Sequence, residues 1–205
     1  MNQSYSENVS KCRLTLKRAP APEQNLVIAL EKWRALFFRL GLIGECQTEK
    51  IGYGNLSSRL LKKNFIITGN QTGHLANLQS HHYTRVIECD LKKGFITAEG
   101  PLPPGKEAMG HYCIYDLNPQ VNFIFEVRHQ HLRSLLAQQE NLSLKENILF
   151  GTLQMSWATN ELIAGKDSGL FIFEGHPEVI ISYGATAEET GKNLLELYRK
   201  IAIRQ

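Results

Sequence analysis

Apolar residues recur at helical spacing through Leu26, Ala29, Leu30, Trp33, Phe37 and Leu40. That stripe predicts an amphipathic helix opening at Glu23 and stopping near Gly41 or Gly44. Trp33 and Phe37 read as its core anchors rather than as ligand contacts. The pattern then shortens. Residues 55–60, 65–68, 86–91 and 95–98 are brief β-forming runs, with Asn64, Gly69 and Lys93-Gly94 supplying turns between them. Lys93-Gly94 between two apolar runs predicts a hairpin. Helical spacing returns over 105–116, where Ala108, Met109, Tyr112, Cys113 and Tyr115 are available for packing. The dense run 121–127 predicts a buried central strand. Helices are expected over 132–139 and 151–164, and strands over 170–173 and 179–183, flanking Gly175-His176-Pro177. A last helix starts with Thr186 as N-cap and Glu189 three residues on, the spacing of a capping box. Leu194, Leu197, Tyr198 and Ile201 form its buried stripe.

Helices at both ends of a mixed, mostly antiparallel strand region argue for α/β layering rather than an all-β fold. The chain has 205 residues, enough for one domain with a substantial core and no need of disulfides. Residues 1–22 are polar, end basic at Lys17-Arg18 and are punctuated by Pro20-Ala21-Pro22. They read as a poorly ordered leader before a single domain over 23–205. An organelle-targeting peptide is the alternative, and Glu7 weighs against it. Hydrophobic residues make up 42% and charged residues 21%, an ordinary soluble composition. The formal charge of +3 is too small to argue for nucleic acid or a membrane surface, and no apolar run reaches transmembrane length. Cys12, Cys46, Cys89 and Cys113 lack metal or redox spacing. They read as free thiols of a reducing cytoplasm, with a disulfide pair as the alternative.

Three stretches carry candidate chemistry. Gly54 and Asn55 stand just before a strand. Thr68, Gly69 and the small polar residues to Gly73 follow another. Glycine permits close backbone approach, and two such loops could cradle an anion through N–H groups; taken singly, each reads first as a plain turn. Pro103-Pro104-Gly105-Lys106-Glu107 precedes a helix, whose N-terminus favours an anion, with Lys106 adding a point charge. Glu107 is either a proton-transfer group or a complement to the helix dipole. His111 lies one turn later on the same helix face. The strand Glu126-Val127-Arg128 then runs into His129-Gln130-His131.

The ordered series GNLSSR, ITGNQTG, GP-x-PPGKE-x-x-GH, VNFIFEVR, GH-x-E and YGATAEETG resembles the class II aldolase/adducin family from about Asn25 to the C-terminus. Its loops are most similar to those of a bacterial branch without an assigned function. The resemblance implies a three-layer αβα sandwich around a mainly antiparallel sheet, assembled as a homotetramer. It also implies a divalent metal, zinc or a relative, held by three histidines, and aldol cleavage, epimerisation or dehydration of sugar phosphates. By that resemblance Glu107 is the general acid/base. Gly54, Asn55, Thr68 and Gly69 contact substrate, and His176 is the third metal histidine. Gly105 and Lys106 stand where the family has two serines before the glutamate.

The family's His-x-His pair falls on Glu126 and Arg128. Glu126 could ligate a metal through oxygen; a guanidinium cannot, having no lone pair to give. His129 and His131 could serve as metal ligands only if the strand slips by three residues, which needs a bulge. Otherwise they sit at the strand end without metal. The expectation is therefore that Arg128 occupies the metal position, paired with Glu126 and Glu107, and that the divalent cofactor is absent. Two functions follow: a non-catalytic or atypical small-molecule binding protein, its ligand a candidate phosphorylated compound, or a metal-dependent aldolase-type lyase using Glu107.

Overall fold

The computed structural model of the chain describes residues 13–138, 142–144, 153–173 and 178–202. Among the described residues, eleven strands and five helices follow in chain order: β1 (Arg13–Arg18), α1 (Ile28–Arg39), β2 (Gly44–Glu45), β3 (Gly52–Tyr53), β4 (Asn55–Arg59), β5 (Phe65–Thr68), β6 (Tyr83–Asp90), β7 (Phe95–Gly100), α2 (Ala108–Leu117), β8 (Phe123–Arg128), α3 (Gln130–Ala137), β9 (Ser143–Leu144), α4 (Leu153–Ile163), β10 (Gly169–Phe173), β11 (Val179–Gly184) and α5 (Ala187–Ala202). Nine strands form one sheet in the order β1-β7-β6-β5-β4-β8-β11-β10-β9. Its pairings are antiparallel except β1 with β7 and β9 with β10.

Period-two alternation sends successive side chains to opposite faces, so each buried strand feeds two cores. On one face Ile67, Ile124 and Ile181 pack with Met109, Cys113 and Tyr115 of α2 and Ile163 of α4. On the other, Ile66, Phe125, Val127 and Ile180 pack with Leu30, Trp33 and Phe37 of α1, Leu132 of α3 and Leu194 of α5. The result is the expected α/β three-layer αβα sandwich around a mainly antiparallel sheet.

The helical stripe of α1 is buried as its spacing requires, although the α-helix begins at Ile28 after a 3-10 turn over Gln24–Leu26. Gly94 takes φ 62° in the β6–β7 turn, the left-handed conformation that a tight hairpin favours. At α5, Thr186 Oγ1 accepts from Glu189 N at 3.1 Å, while the Glu189 carboxylate accepts from Ala185 N at 3.1 Å. The cap thus reaches one residue further back than a strict capping box.

One expectation needs correction. Residues 13–18 of the supposed poorly ordered leader form β1, in parallel register with β7 from Arg13↔Phe95 to Arg18↔Gly100. The alternation of Leu14 and Leu16 with polar residues suits an edge strand, where the charged side chains face water. Residues 1–12, including Cys12, lie outside the described residues. Among the described residues no helix is long and apolar enough to cross a membrane. Cys46 and Cys113 are free thiols, and burial pushes the Cys113 thiol up to about 12.

Candidate functional site

A cleft of about 470 Å³ opens where the loops after β2, β3, β5 and β7 meet the end of β8. Its lining includes Gly54, Asn55, Gly69, Lys106, Glu107 and Arg128. Strand pairing explains how sequence-distant residues converge: Asn55 of β4 stands opposite Glu126 of β8. The 69–73 loop is stitched to the loop before α2 by a bridge between Gly69 and Pro104 and by Asn70 N donating to Pro103 O at 2.8 Å. That stitching sets Gly69 and Asn70 beside Lys106 and Glu107.

Close backbone packing shapes the near wall. Gly54 has φ +87°, and a Cβ there would press into Ile43. A Cβ on Gly73 would collide with Gly44 O and crowd the backbone of Gly52 and Tyr53. Gly52 N donates to Gln71 Oε1 at 3.1 Å, joining the two loops. Thr68 is buried and does not line the cleft. Its Oγ1 donates to Asn55 Oδ1 at 3.1 Å and accepts from Leu56 N, so it orients Asn55 and leaves the Asn55 amide nitrogen for a ligand.

Glu107 is half-buried at the start of α2, where its carbonyl accepts from Gly110 N at 2.9 Å. Burial, and then the Glu126 carboxylate, push its own carboxyl above the usual range; Lys106 and Arg128 offset this in part. Gly105 makes room for that side chain, since a Cβ at 105 would meet Glu107 Oε2. Lys106 is exposed at the mouth.

Beneath the cleft lies a buried polar chain. Tyr115 Oη and His111 Nδ1 each hydrogen-bond Ser57 Oγ, at 2.8 and 2.7 Å. His111 Nε2 then faces Glu126 Oε2 at 3.6 Å, too long for a hydrogen bond. His111 and Glu126 are each 1% exposed, and these two facing atoms have no hydrogen-bond partner among the described residues.

Arg128 is half-buried on the same face of β8 as Glu126 and lines the cleft. Its expected pairing is not found. No carboxylate stands within 4.0 Å of the guanidinium among the described residues, and Nε is buried without a partner. The guanidinium carbon lies 5.9 Å from the centroid of the Tyr53 ring. Extended strand geometry explains the difference: Glu126 points down towards His111 on α2, while Arg128, two residues on, reaches the cleft.

His129 and His131 do not join the site. His129 is the N-cap of α3, its Nδ1 accepting from Leu132 N at 3.3 Å, and its ring meets Tyr198 of α5 at 6.0 Å. Tyr198 packs on the α1/α3/α5 face of the sheet, opposite the face that Glu126 presents to α2. Burial lowers the His129 pKa. His131 is exposed. β8 pairs with β11 in continuous register, without a bulge, from Val179↔Arg128 to Gly184↔Phe123. His176 lies outside the described residues.

The divalent ion implied by the family resemblance finds a poor donor set among the described residues. Among the described residues no three His, Cys, Asp or Glu side chains gather to hold one. His111 and Glu126 offer one nitrogen and one oxygen, and Arg128 brings a fixed cation that repels a second positive charge.

Sequence patterning passed over Arg34 entirely. It is 1% exposed. It donates to Thr72 O at 2.9 Å, Leu75 O at 2.6 Å and Ala76 O at 3.3 Å, tying the 72–76 loop to α1. Burial lowers its pKa, opposed by nearby Glu31. The available signal was its place between Leu30 and Phe37 on the buried stripe. Ser57 and Tyr115 were missed too, since hydroxyls inside a strand and a helix read as packing.

No family model matches the sequence, and no curated protein matches it. Solved structures do. YgbL from Escherichia coli superposes with TM-score 0.60 at 18% identity, covering 85% of each chain. L-fuculose-1-phosphate aldolase from Thermus thermophilus gives 0.55 at 19%, over 87% of this chain and 88% of that one. Sugar-phosphate aldolase from Thermotoga maritima gives 0.57 at 17%, over 88% and 97%. The chain has the class II aldolase fold.

Proposed function

We propose that this chain is a small-molecule binding protein built on the class II aldolase fold, divergent at the metal position and either non-catalytic or catalytically atypical. Its ligand is a small hydroxylated or phosphorylated carbonyl compound. One observation supports the reading: the cleft is lined by Lys106, Glu107 and Arg128, and the family resemblance would put a metal-ligating histidine at the position of Arg128. The polar groups of Asn55, Asn70, Gln71 and Thr72 suit hydroxyl or carbonyl oxygens. Gly54, Asn55, Gly69 and Lys106 form the ligand wall, Thr68 positions Asn55, and Gly105 serves the ligand by leaving room for Glu107.

A second reading is favoured by Glu107 alone. A carboxyl held above its ordinary range by burial at a cleft wall is a candidate for proton transfer. In that reading the protein is an aldolase-type lyase, or a sugar-phosphate epimerase or dehydratase, with Glu107 as general acid/base and a divalent metal on His176 and Glu126. As carried by either reading, the protein is cytoplasmic and a homo-oligomer, a tetramer by resemblance.

Metal analysis of untagged protein separates the two. The first reading expects far less than one zinc, manganese, iron or cobalt per chain, and ligand binding unchanged by chelator. Near-stoichiometric metal that disappears in His176→Ala would overturn it in favour of the lyase. Sedimentation of the same sample checks the oligomeric state.

A further inference from the structure

We propose that the cleft receives a small hydroxylated carboxylate, its carboxylate gripped by the Arg128 guanidinium and a hydroxyl placed beside Glu107. This rests on the small-molecule reading above and specifies the ligand's charge and where it sits.

The argument starts from Arg128. It lines the cleft, is half-buried, and has no carboxylate within 4.0 Å among the described residues. Its Nε–H, shielded from water, lacks an acceptor there. A partly desolvated cation with unused donors is costly to leave unpaired, and an anionic ligand is the group that would relieve it. The buried Glu126 carboxylate does not do so, because it faces His111 instead.

Charge bookkeeping favours a monoanion. The cleft holds two cations, Lys106 and Arg128, against Glu49 and Glu107. The buried Glu126 adds a negative field behind Glu107. A dianionic phosphoryl group at Arg128 would face both carboxyl groups, whereas a carboxylate matches the single guanidinium charge while still engaging its fork. Glu107 stands in the same wall, within the cleft that would hold the ligand, and its carboxyl can hydrogen-bond a hydroxyl of that ligand. Asn55, Asn70 and Thr72 supply partners for further hydroxyls. A cleft of about 470 Å³ with so polar a wall suits a small polyhydroxylated acid rather than an apolar molecule.

The test is calorimetric titration of the full chain, in chelator at neutral pH, with D-glycerate, glycerol 3-phosphate and glycerol. Glycerate is expected to bind and glycerol not. Arg128→Gln should weaken glycerate by at least about tenfold, the value of one charge-assisted contact. Arg128→Lys, which keeps the charge but not the fork, should fall between and guards against a folding defect in the glutamine variant. Equal glycerate affinity in wild type and Arg128→Gln overturns the proposal. So does glycerol 3-phosphate binding more tightly than glycerate. If only glycerol 3-phosphate binds, and does so regardless of Arg128, the inference falls and the small-molecule reading stands. If no probe binds, both fall.

Discussion

The two faces of β8 are built to opposite rules. On one, Phe125 and Val127 are fully buried among α1, α3 and α5, and Phe125 meets Trp33 at 6.5 Å and Phe37 at 5.9 Å between ring centroids. On the other, Ile124 packs conventionally, but Glu126 and Arg128 end in buried atoms without hydrogen bonds among the described residues. A strand that needed only stability would be apolar on both faces, as strands covered by helices usually are. One strand thus anchors the fold with its odd-numbered residues and shapes a cleft with its even-numbered ones.

The largest effect should come from the anchoring face. Phe125→Ala removes a ring from an aromatic cluster and should destabilise the protein by about 3–5 kcal/mol. Glu126→Gln, one residue away, should change stability by less than about 1 kcal/mol, because replacing a buried charge is often close to neutral. Urea unfolding of both variants measures the contrast. Comparable losses would mean that the even-numbered face is structural as well.

Arg34→Met comes next. It leaves the carbonyls of Thr72, Leu75 and Ala76 without their donor and should cost about 2–3 kcal/mol. Because that loop walls the cleft, ligand affinity should fall too. Unfolding and titration on the same variant check both outcomes, and a stability loss with intact affinity would detach the loop from the site.

Much of this was legible in the sequence, for reasons that differ by region. The stripe of α1, the run of β8 and the Thr186 cap were visible because burial on one face imposes a period. β1 was hidden because Arg13, Lys17 and Arg18 looked like a solvated tail, and only pairing with β7 gives Leu14 and Leu16 a partner. At the site, the loops bearing Gly54, Asn55, Gly69 and Lys106 announced themselves through glycines and small polar residues. Arg34 did not, since a helical arginine normally faces water and only the tertiary loop supplies its acceptors. Strand alternation alone placed Glu126 and Arg128 together. It could not show that Glu126 turns to His111 rather than to Arg128, because that choice is made by α2.

Glu107→Gln sharpens the comparison from the cleft side. The native carboxyl sits above its unfolded value, so the folded chain binds the proton more tightly. Stability therefore falls as pH rises from the unfolded pKa through the folded one, and the penalty is full above it. Glutamine lacks that penalty. The variant should be more stable than wild type at pH 7, by about 0.5–2 kcal/mol, and equal to it near pH 4. Beyond burial, Glu126 raises the group's pKa while Lys106 and Arg128 lower it, so the Glu107→Gln advantage should be smaller in a Glu126→Gln background. Thermal melts across pH 4–8 read this directly. A Glu107→Gln effect that does not depend on pH would show that the carboxyl titrates alike in the folded and unfolded chain, and a disadvantage growing with pH would show it ionised and paired.

The smallest effect is the most local. Gly105→Ala places a Cβ against the Glu107 carboxylate, at the mobile end of a side chain rather than against backbone. Gly105 is not among the glycines with positive φ, so alanine meets no backbone strain there. Stability should move by no more than about 0.5 kcal/mol, while the carboxyl is displaced from its place in the cleft wall. Binding of glycerate should then weaken severalfold with the melting temperature unchanged, because the ligand loses its hydroxyl partner but keeps Arg128. A variant that binds as wild type does would show that Glu107 contributes nothing to the ligand, and would leave the even-numbered face of β8 with Arg128 alone to explain its polarity.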